Sequence, residues 1–220
     1  MKRAWPSLAA LLLAGCGRAP ELRELAYAGG QPWSEIRLEQ GEPAGRWTTW
    51  YENGQKKSEG QYERGLRQGA WTGWWENGQV QSEGRYVDGR PDGEWRYFFA
   101  SGTPASHGTF ARGILEGEWI DYYGDGVVRS RITMHGGLQD STARSYWPDG
   151  KLKHEWTYVK GVLHGPYRDF RADGSEWILG EYVDGRQTGL WMVYRPDGSV
   201  STDHSGIYEN GVRVQPWEAR

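Results

Sequence analysis

Large aromatic residues, glycines and charged residues recur along most of this chain with a period of 24 residues. Segments 45–68 and 69–92 align with each other without a gap, and the same pattern continues almost to the C-terminus. Self-similarity at a fixed spacing is typical of repeat architectures. The pattern therefore predicts a stack of equivalent units. Full units begin at Gly45, Gly69, Gly93, Gly117, Ser141, Gly165 and Gly189.

Each unit contains two turn signals. Glycine occupies the tenth position, usually after Asn or Asp, and a second glycine follows eleven residues later. Asn-Gly and Asp-Gly pairs predict type I′ hairpin turns, which need positive φ at both central residues. Two turns per unit leave strands of about 5–8 residues, which predicts an all-β antiparallel meander of about 14 strands. The tenth-position turn glycines are Gly54, Gly78, Gly102, Gly126, Gly150, Gly174 and Gly198.

Three columns of large side chains lie between the turns. The third position holds Trp47, Trp71, Trp95, Trp119, Ala143, Tyr167 and Trp191. The sixth position holds Trp50, Trp74, Phe98, Tyr122, Tyr146, Phe170 and Tyr194. The second strand ends in Tyr62, Tyr86, Phe110, Met134, Tyr158, Tyr182 and Tyr208. Stacked repeats would place like rings side by side, where ring pairs add about 0.5–1.5 kcal/mol beyond their buried area.

The geometry of these columns leaves two questions open. Alternate residues of a strand face opposite sides, so the third and sixth positions share a face only if the strand bends. We expect a bend, because glycine at the unit start permits one; aromatic residues on both faces are the alternative. The sixteenth-position glycines either leave room for a ring of the facing strand or mark a bulge. They are Gly60, Gly84, Gly108 and Gly180.

The N-terminus predicts export and lipid attachment. A positive start precedes an apolar run, residues 8–14, that is shorter than the roughly 20 residues needed to span a bilayer. This order fits a secretory signal peptide. The residues up to Cys16 resemble the lipobox of bacterial lipoproteins, which implies cleavage before Cys16 and lipid on its sulfur. A signal peptide with a chance cysteine is the alternative. Gly17 implies the outer membrane, if the organism has one.

These features divide the chain into five parts. Residues 1–15 are predicted to be the signal peptide and 16–32 a lipidated tether. Residues 33–44 are predicted to be a half repeat that caps the seven repeats of 45–212, and 213–220 a C-terminal tail.

One run carries a family resemblance. Residues 83–98 read EGRYVDGRPDGEWRYF and resemble the MORN repeat variant, found in bacterial proteins often labelled YwqK-family antitoxins. The resemblance covers residues 36 to about 212, and the fifth unit departs most, at Ser141 and Ala143. It implies an elongated single-layer sheet used for protein–protein or membrane-surface contact, without catalytic activity.

Composition argues against several other functions. The net charge is −3, and no run of five to eight Lys or Arg is present, so we do not expect nucleic-acid binding. No zinc-protease, paired-cysteine, nucleophile-elbow or P-loop motif occurs. The histidines occupy different register positions, so we expect no metal site. We also expect no cofactor and no enzymatic activity, since none of these motifs is present. The histidines are His107, His135, His154, His164 and His204.

The seventh position is the candidate binding strip. It is aromatic in five units and then becomes arginine, and both residue types are enriched at interface hot spots. The alternative is a core column that ends in arginine stems. The strip consists of Tyr51, Trp75, Phe99, Tyr123, Trp147, Arg171 and Arg195.

The sequence leaves two binding functions open. We expect a repeat scaffold that engages an unidentified envelope protein, possible immunity roles included. The alternative is a module that binds an envelope glycan or surface polymer, for which Tyr51 and Trp75 would serve.

Overall fold

The computed structural model describes residues 20–218, which form one open antiparallel sheet. The predicted signal peptide and Cys16 lie outside the described residues. The all-β meander is confirmed, with 18 strands. The strands are β1 (Glu21–Ala26), β2 (Pro32–Glu39), β3 (Glu42–Trp50), β4 (Lys56–Glu63), β5 (Leu66–Trp74), β6 (Val80–Val87), β7 (Arg90–Phe98), β8 (Pro104–Ala111), β9 (Ile114–Tyr122), β10 (Val128–His135), β11 (Leu138–Gln139), β12 (Ser141–Tyr146), β13 (Leu152–Val159), β14 (Val162–Phe170), β15 (Glu176–Val183), β16 (Arg186–Val193), β17 (Gly206–Glu209) and β18 (Val212–Pro216).

Each strand pairs with its neighbours in the chain, so the sheet grows by one hairpin at a time. The exception is β11 and β12, which share one strand position because both pair with β10. The break between them falls at Asp140. The next residue, Ser141, has φ +87° where most units have glycine.

The tenth-position turns are not type I′, so that prediction was wrong. In the first unit only Gly54 has positive φ (+82°), whereas Asn53 does not. The Gly54 amide donates to the Tyr51 carbonyl at 2.9 Å, and the Tyr51 amide donates to the Gln55 carbonyl at 2.8 Å. This is the three-residue hairpin loop in which a type I turn is followed by a left-handed glycine.

Type I′ turns occur instead at the other end of the strands. Arg64 and Gly65 both have positive φ, +50° and +76°. The Asn that precedes the tenth-position glycine does not adopt positive φ. Its side-chain amide instead bonds to two backbone groups. The Asn53 Oδ1 accepts from the Gln55 amide at 2.9 Å, and its Nδ2 donates to the Glu76 carbonyl of the next unit at 2.8 Å.

Each unit-start glycine forms a bulge, but the third and sixth columns lie on opposite faces. Trp119 lies over Gly108, whereas Tyr122 stacks on His107 with ring centroids 5.7 Å apart. His107 and Gly108 are consecutive in β8, so they face opposite sides. The expected bend that would bring both columns to one face is therefore wrong, because the bulge precedes the third position.

The sixteenth-position glycines accommodate rings and also lie opposite a bulge. A Cβ on Gly60 or Gly84 would overlap the indole of Trp71 or Trp95 on the following strand. The pairing of β4 with β5 shifts register between Glu59 and Gln61, at the same point. Both interpretations of these glycines therefore hold.

The repeat extends further in both directions than the sequence predicted. β1 lies inside the predicted tether and pairs with β2, and β18 occupies part of the predicted tail. The Tyr27 amide donates to Gln31 at 2.8 Å and the Gly30 amide donates to Tyr27 at 2.9 Å, as in the later loops. The predicted half repeat is therefore the second strand of a complete hairpin.

Candidate binding site

Rings of the third and eighteenth positions interlock along the first four units. Consecutive members lie edge to face or tilted, with centroids 5.1–6.4 Å apart. Trp71 and Trp95 are only 6% and 5% exposed. We call this series the aromatic ladder and the side of the sheet that carries it the ladder face. The aromatic ladder consists of Trp47, Tyr62, Trp71, Tyr86, Trp95, Phe110 and Trp119.

The ladder ends at the junction of the fourth and fifth units. Ala143, 1% exposed, stands where the other units have a large ring. Ile132, on the facing strand, stands where Trp71 and Trp95 have a glycine opposite them. The large and small side chains have thus exchanged places, with Ile132 in place of glycine and Ala143 in place of the ring. A shorter ring series resumes with Tyr167, Tyr182, Trp191 and Tyr208.

A polar cluster follows this break on the ladder face. Ser145, His154 and Asp169 are paired across three neighbouring strands. The His154 Nδ1 hydrogen-bonds to Asp169, and the Tyr167 hydroxyl donates to the other carboxylate oxygen at 3.0 Å. Burial, followed by the charge of Asp169, raises the pKa of Tyr167 well above its ordinary value.

Serine, histidine and aspartate in one row suggest a catalytic triad, but hydrogen bonds link only two of them. His154 bonds to Asp169, whereas the Ser145 Oγ is buried and has no hydrogen-bond partner in the part of the chain that the structure describes. A nucleophilic serine is activated by a hydrogen bond to its base. The row is therefore a polar contact between strands in which the serine is not engaged.

Sequence reasoning missed this cluster, although a signal was present. The fourteenth position is serine in the first four units and becomes His154 in the fifth. The fifth position is aspartate at Asp121, where it accepts from Ser130, and again at Asp169. Comparing these two columns, which face each other, would have shown that His154 takes the place of serine beside an aspartate.

The candidate binding strip lies beside the tenth-position loops, and most of its members bond to the next unit. The Tyr51 hydroxyl donates to the Trp74 carbonyl at 2.9 Å, and the Trp75 indole donates to the Phe98 carbonyl at 2.9 Å. Tyr123 and Trp147 do the same at 2.7 and 3.3 Å.

The change to arginine preserves this bond in the sixth unit. Arg171 donates to the Tyr194 carbonyl, whereas Phe99 has no donor to offer. Arg195 is exposed and donates to Val200 at 2.7 Å. The strip therefore joins successive units through its polar atoms, while the rings stay half-buried and leave part of their surface to solvent.

The titratable groups of the described residues form no cluster of three that could hold a metal. His135 pairs with Glu116 at 2.8 Å and His164 with Asp184 at 3.4 Å, each at the surface. Within 20–218 there is also no helix of the length and apolarity that a membrane crossing requires.

The fold and its repeated contacts define a class of antiparallel repeat scaffolds. The family model described as the MORN repeat variant matches this chain in five segments, 44–64, 67–88, 91–111, 115–135 and 139–160. The chain therefore carries MORN repeats of this variant, and the irregular fifth unit is among them. No curated protein matches the chain.

Proposed function

We propose that this protein is a non-enzymatic repeat scaffold that binds another protein at the bacterial cell envelope. Lipid on Cys16 would hold it there, in the outer membrane if the organism has one. An immunity or antitoxin-like role fits within this proposal, since such proteins act by binding a partner.

The observation that carries the proposal is that one layer of repeats leaves equivalent side chains exposed in register. Leu66, Ile114 and Leu138 each follow a type I′ turn and are 49%, 50% and 51% exposed, with Arg90 at the equivalent place between the first two. Exposed apolar side chains that recur along one edge are typical of interaction surfaces. The MORN repeats support the same general role. Their side-chain hydrogen bonds join one unit to the next and so build the sheet that presents these residues.

The half-buried rings of the candidate binding strip support a second candidate, an envelope glycan or surface polymer. Tyr51 and Trp75 lie in consecutive units, and exposed ring surface at a regular spacing suits a polymer of sugars. Their hydroxyl and indole donors are already bonded to backbone carbonyls. A glycan would therefore depend on ring contacts alone, which makes the protein partner the stronger candidate.

The test is capture of the tagged full-length protein from crosslinked envelopes, followed by mass spectrometry and reconstitution with purified components. We expect one protein near stoichiometry that binds again in isolation. A Cys16→Ala variant is the matched control, and we expect it to carry no lipid.

The outcomes separate the two candidates. Recovery of polysaccharide without a protein, lost in Trp75→Ala, would replace the scaffold proposal with the glycan one. Absence of lipid on Cys16 of the unaltered protein, measured by mass spectrometry, would overturn the lipid anchor without touching the binding proposal.

A further inference from the structure

The fifth position of the second unit is a gap in the repeat. This column lies on the ladder face and holds Thr49 in the first unit and Tyr97 in the third, but Gly73 between them. No positive φ requires glycine at 73. The nearest side chain is Ser82, the small residue usual in its column, and its Oγ would lie 2.9 Å from a Cβ at position 73.

The missing side chain leaves a cleft of about 210 Å³ on the ladder face. This is smaller than the roughly 300–1,000 Å³ of sites for drug-sized ligands, so its size suits one side chain. No acidic residue lines it. The lining residues are Lys57, Ser58, Arg67, Trp71, Thr72, Gly73, Gln81, Ser82, Tyr86 and Trp95.

Two cations, Lys57 and Arg67, line this cleft, and Arg67 is the half-buried one. Its guanidinium lies 4.6 Å from the Trp71 ring centroid and 5.2 Å from that of Tyr86. It donates to the hydroxyls of Tyr86 at 3.0 Å and Tyr62 at 3.5 Å. Across residues 20–218, no carboxylate lies within ion-pair distance of it.

The arginine at the same register position of the last unit makes different contacts. Arg213 donates to the backbone carbonyls of Thr202 at 3.2 Å and Asp203 at 2.5 Å. Arg67 bonds only to neutral tyrosine hydroxyls. A half-buried guanidinium held on aromatic rings, without an anion, is complementary to a carboxylate.

We propose that the Gly73 cleft receives one Asp or Glu side chain of the protein partner, with Arg67 as its counter-charge. The proposal rests on the scaffold function above. The Ser82 hydroxyl, which would lie 2.9 Å from a Cβ at position 73, borders the same space and is a further donor. An acidic sugar fits less well, because Trp71 and Trp95 are almost fully buried and offer no open ring face for stacking.

The test is a titration followed by ¹H–¹⁵N NMR of the indole N–H groups of Trp71 and Trp95. The probes are the peptide acetyl-Gly-Glu-Gly-amide, its Gln counterpart and free glucuronate. We expect saturable shifts with the Glu peptide and at least tenfold weaker binding of the Gln peptide and of glucuronate.

Two variants remove the site in different ways. Gly73→Thr fills the cleft with the residue of the first unit, where Thr49 and Ser58 form a 2.6 Å hydrogen bond, and Arg67→Gln removes the charge together with the guanidinium's contacts to Trp71 and Tyr86. Each should weaken Glu-peptide binding at least tenfold. Arg46→Gln, which removes an exposed cation paired with Glu59, should change it less than twofold.

Absence of a saturable shift, unchanged binding in Gly73→Thr or Arg67→Gln, or tighter binding of glucuronate would each overturn the inference. The captured partner gives an independent comparison. A partner that binds Gly73→Thr as tightly as the unaltered protein would refute the cleft while leaving the scaffold proposal intact.

Discussion

The first four units and the two that follow solve the same packing problem differently. In the first region three indoles, Trp71, Trp95 and Trp119, each lie over a glycine of the preceding strand and against a tyrosine or phenylalanine, so one contact repeats along the sheet. In the second region the indole is replaced by Ala143 and hydrogen bonds among His154, Asp169 and Tyr167 take over. The comparison teaches that this fold needs a filled ladder face, but not always an aromatic one.

The largest effect should come from removing a ring of the ladder. Trp95→Ala should lower the free energy of unfolding by about 3–5 kcal/mol, because it empties a site walled by Tyr86 and Phe110. Urea denaturation measures the change. Trp177→Ala is the control: this side chain is 44% exposed and should cost no more than about 0.5 kcal/mol. Equal costs would contradict the ladder as the main source of stability.

Exchanging the pair at the break tests whether the two regions are interchangeable. Ala143→Trp alone should cost about 1–3 kcal/mol, since the indole would meet Ile132. Adding Ile132→Gly should recover much of that loss, with a coupling energy of about 0.5–3 kcal/mol in a double-mutant cycle. Additive effects of the two substitutions would show that their exchange in this sequence is coincidental.

Two tenth-position loops, one from each region, should respond unequally. Gly78→Val should cost more than about 1 kcal/mol, because valine disfavours the positive φ of this glycine. Its Cβ would also lie 2.6 Å from the Gln55 Oε1, whereas a Cβ on Gly150 would meet nothing within 4 Å. Gly150→Val should therefore cost less in parallel urea melts. A larger cost for Gly150→Val would indicate that backbone strain, and not contact with Gln55, sets the loss of stability.

The polar cluster should show itself at alkaline pH. The pKa of Tyr167 is raised above 10.0 in the folded protein, by burial first and by Asp169 second. The stability it contributes is complete below about pH 10 and is lost as the pH rises through the folded pKa.

Tyr167→Phe should therefore flatten the fall of unfolding free energy above pH 10. The change should be less than about 1.4 kcal/mol per pH unit, the limit for one proton, since solvent screens a partly exposed group. Tyr97→Phe is the control from the first region, where burial raises the pKa without an aspartate. A larger effect at Tyr97 would contradict the role of Asp169.

The repeat length, the strand class and the columns could be predicted from sequence because each depends on local spacing. The type I′ turns at Asp88-Gly89 and Asp184-Gly185 could be predicted as well. Those at the tenth position could not, because the loop closes between Tyr51 and Gln55, a pairing that the Asn-Gly dipeptide does not specify. The first hairpin was overlooked because it has Glu21 and Arg23 where other units have glycine and tryptophan, although Tyr27 and Gly30 were in register.

The candidate site, too, was predictable from the sequence only in part. The strip was visible as a column, but its bonds to the following carbonyl join residues 23 apart in the chain. The Gly73 cleft was visible only as one glycine among many. Its meaning depends on Arg67 and Ser82, which belong to neighbouring strands.

The sequence by itself determined that this protein is a stack of antiparallel hairpins, since the period, the glycines and the alternation act over a few residues. Only the tertiary structure decided which face each ring occupies, because a bulge at the unit start changes the phase of everything after it. It also decided which departures from the repeat are compensated, as at Ile132 and Ala143, and which leave open space, as at Gly73. Those outcomes depend on the residue that the facing strand supplies.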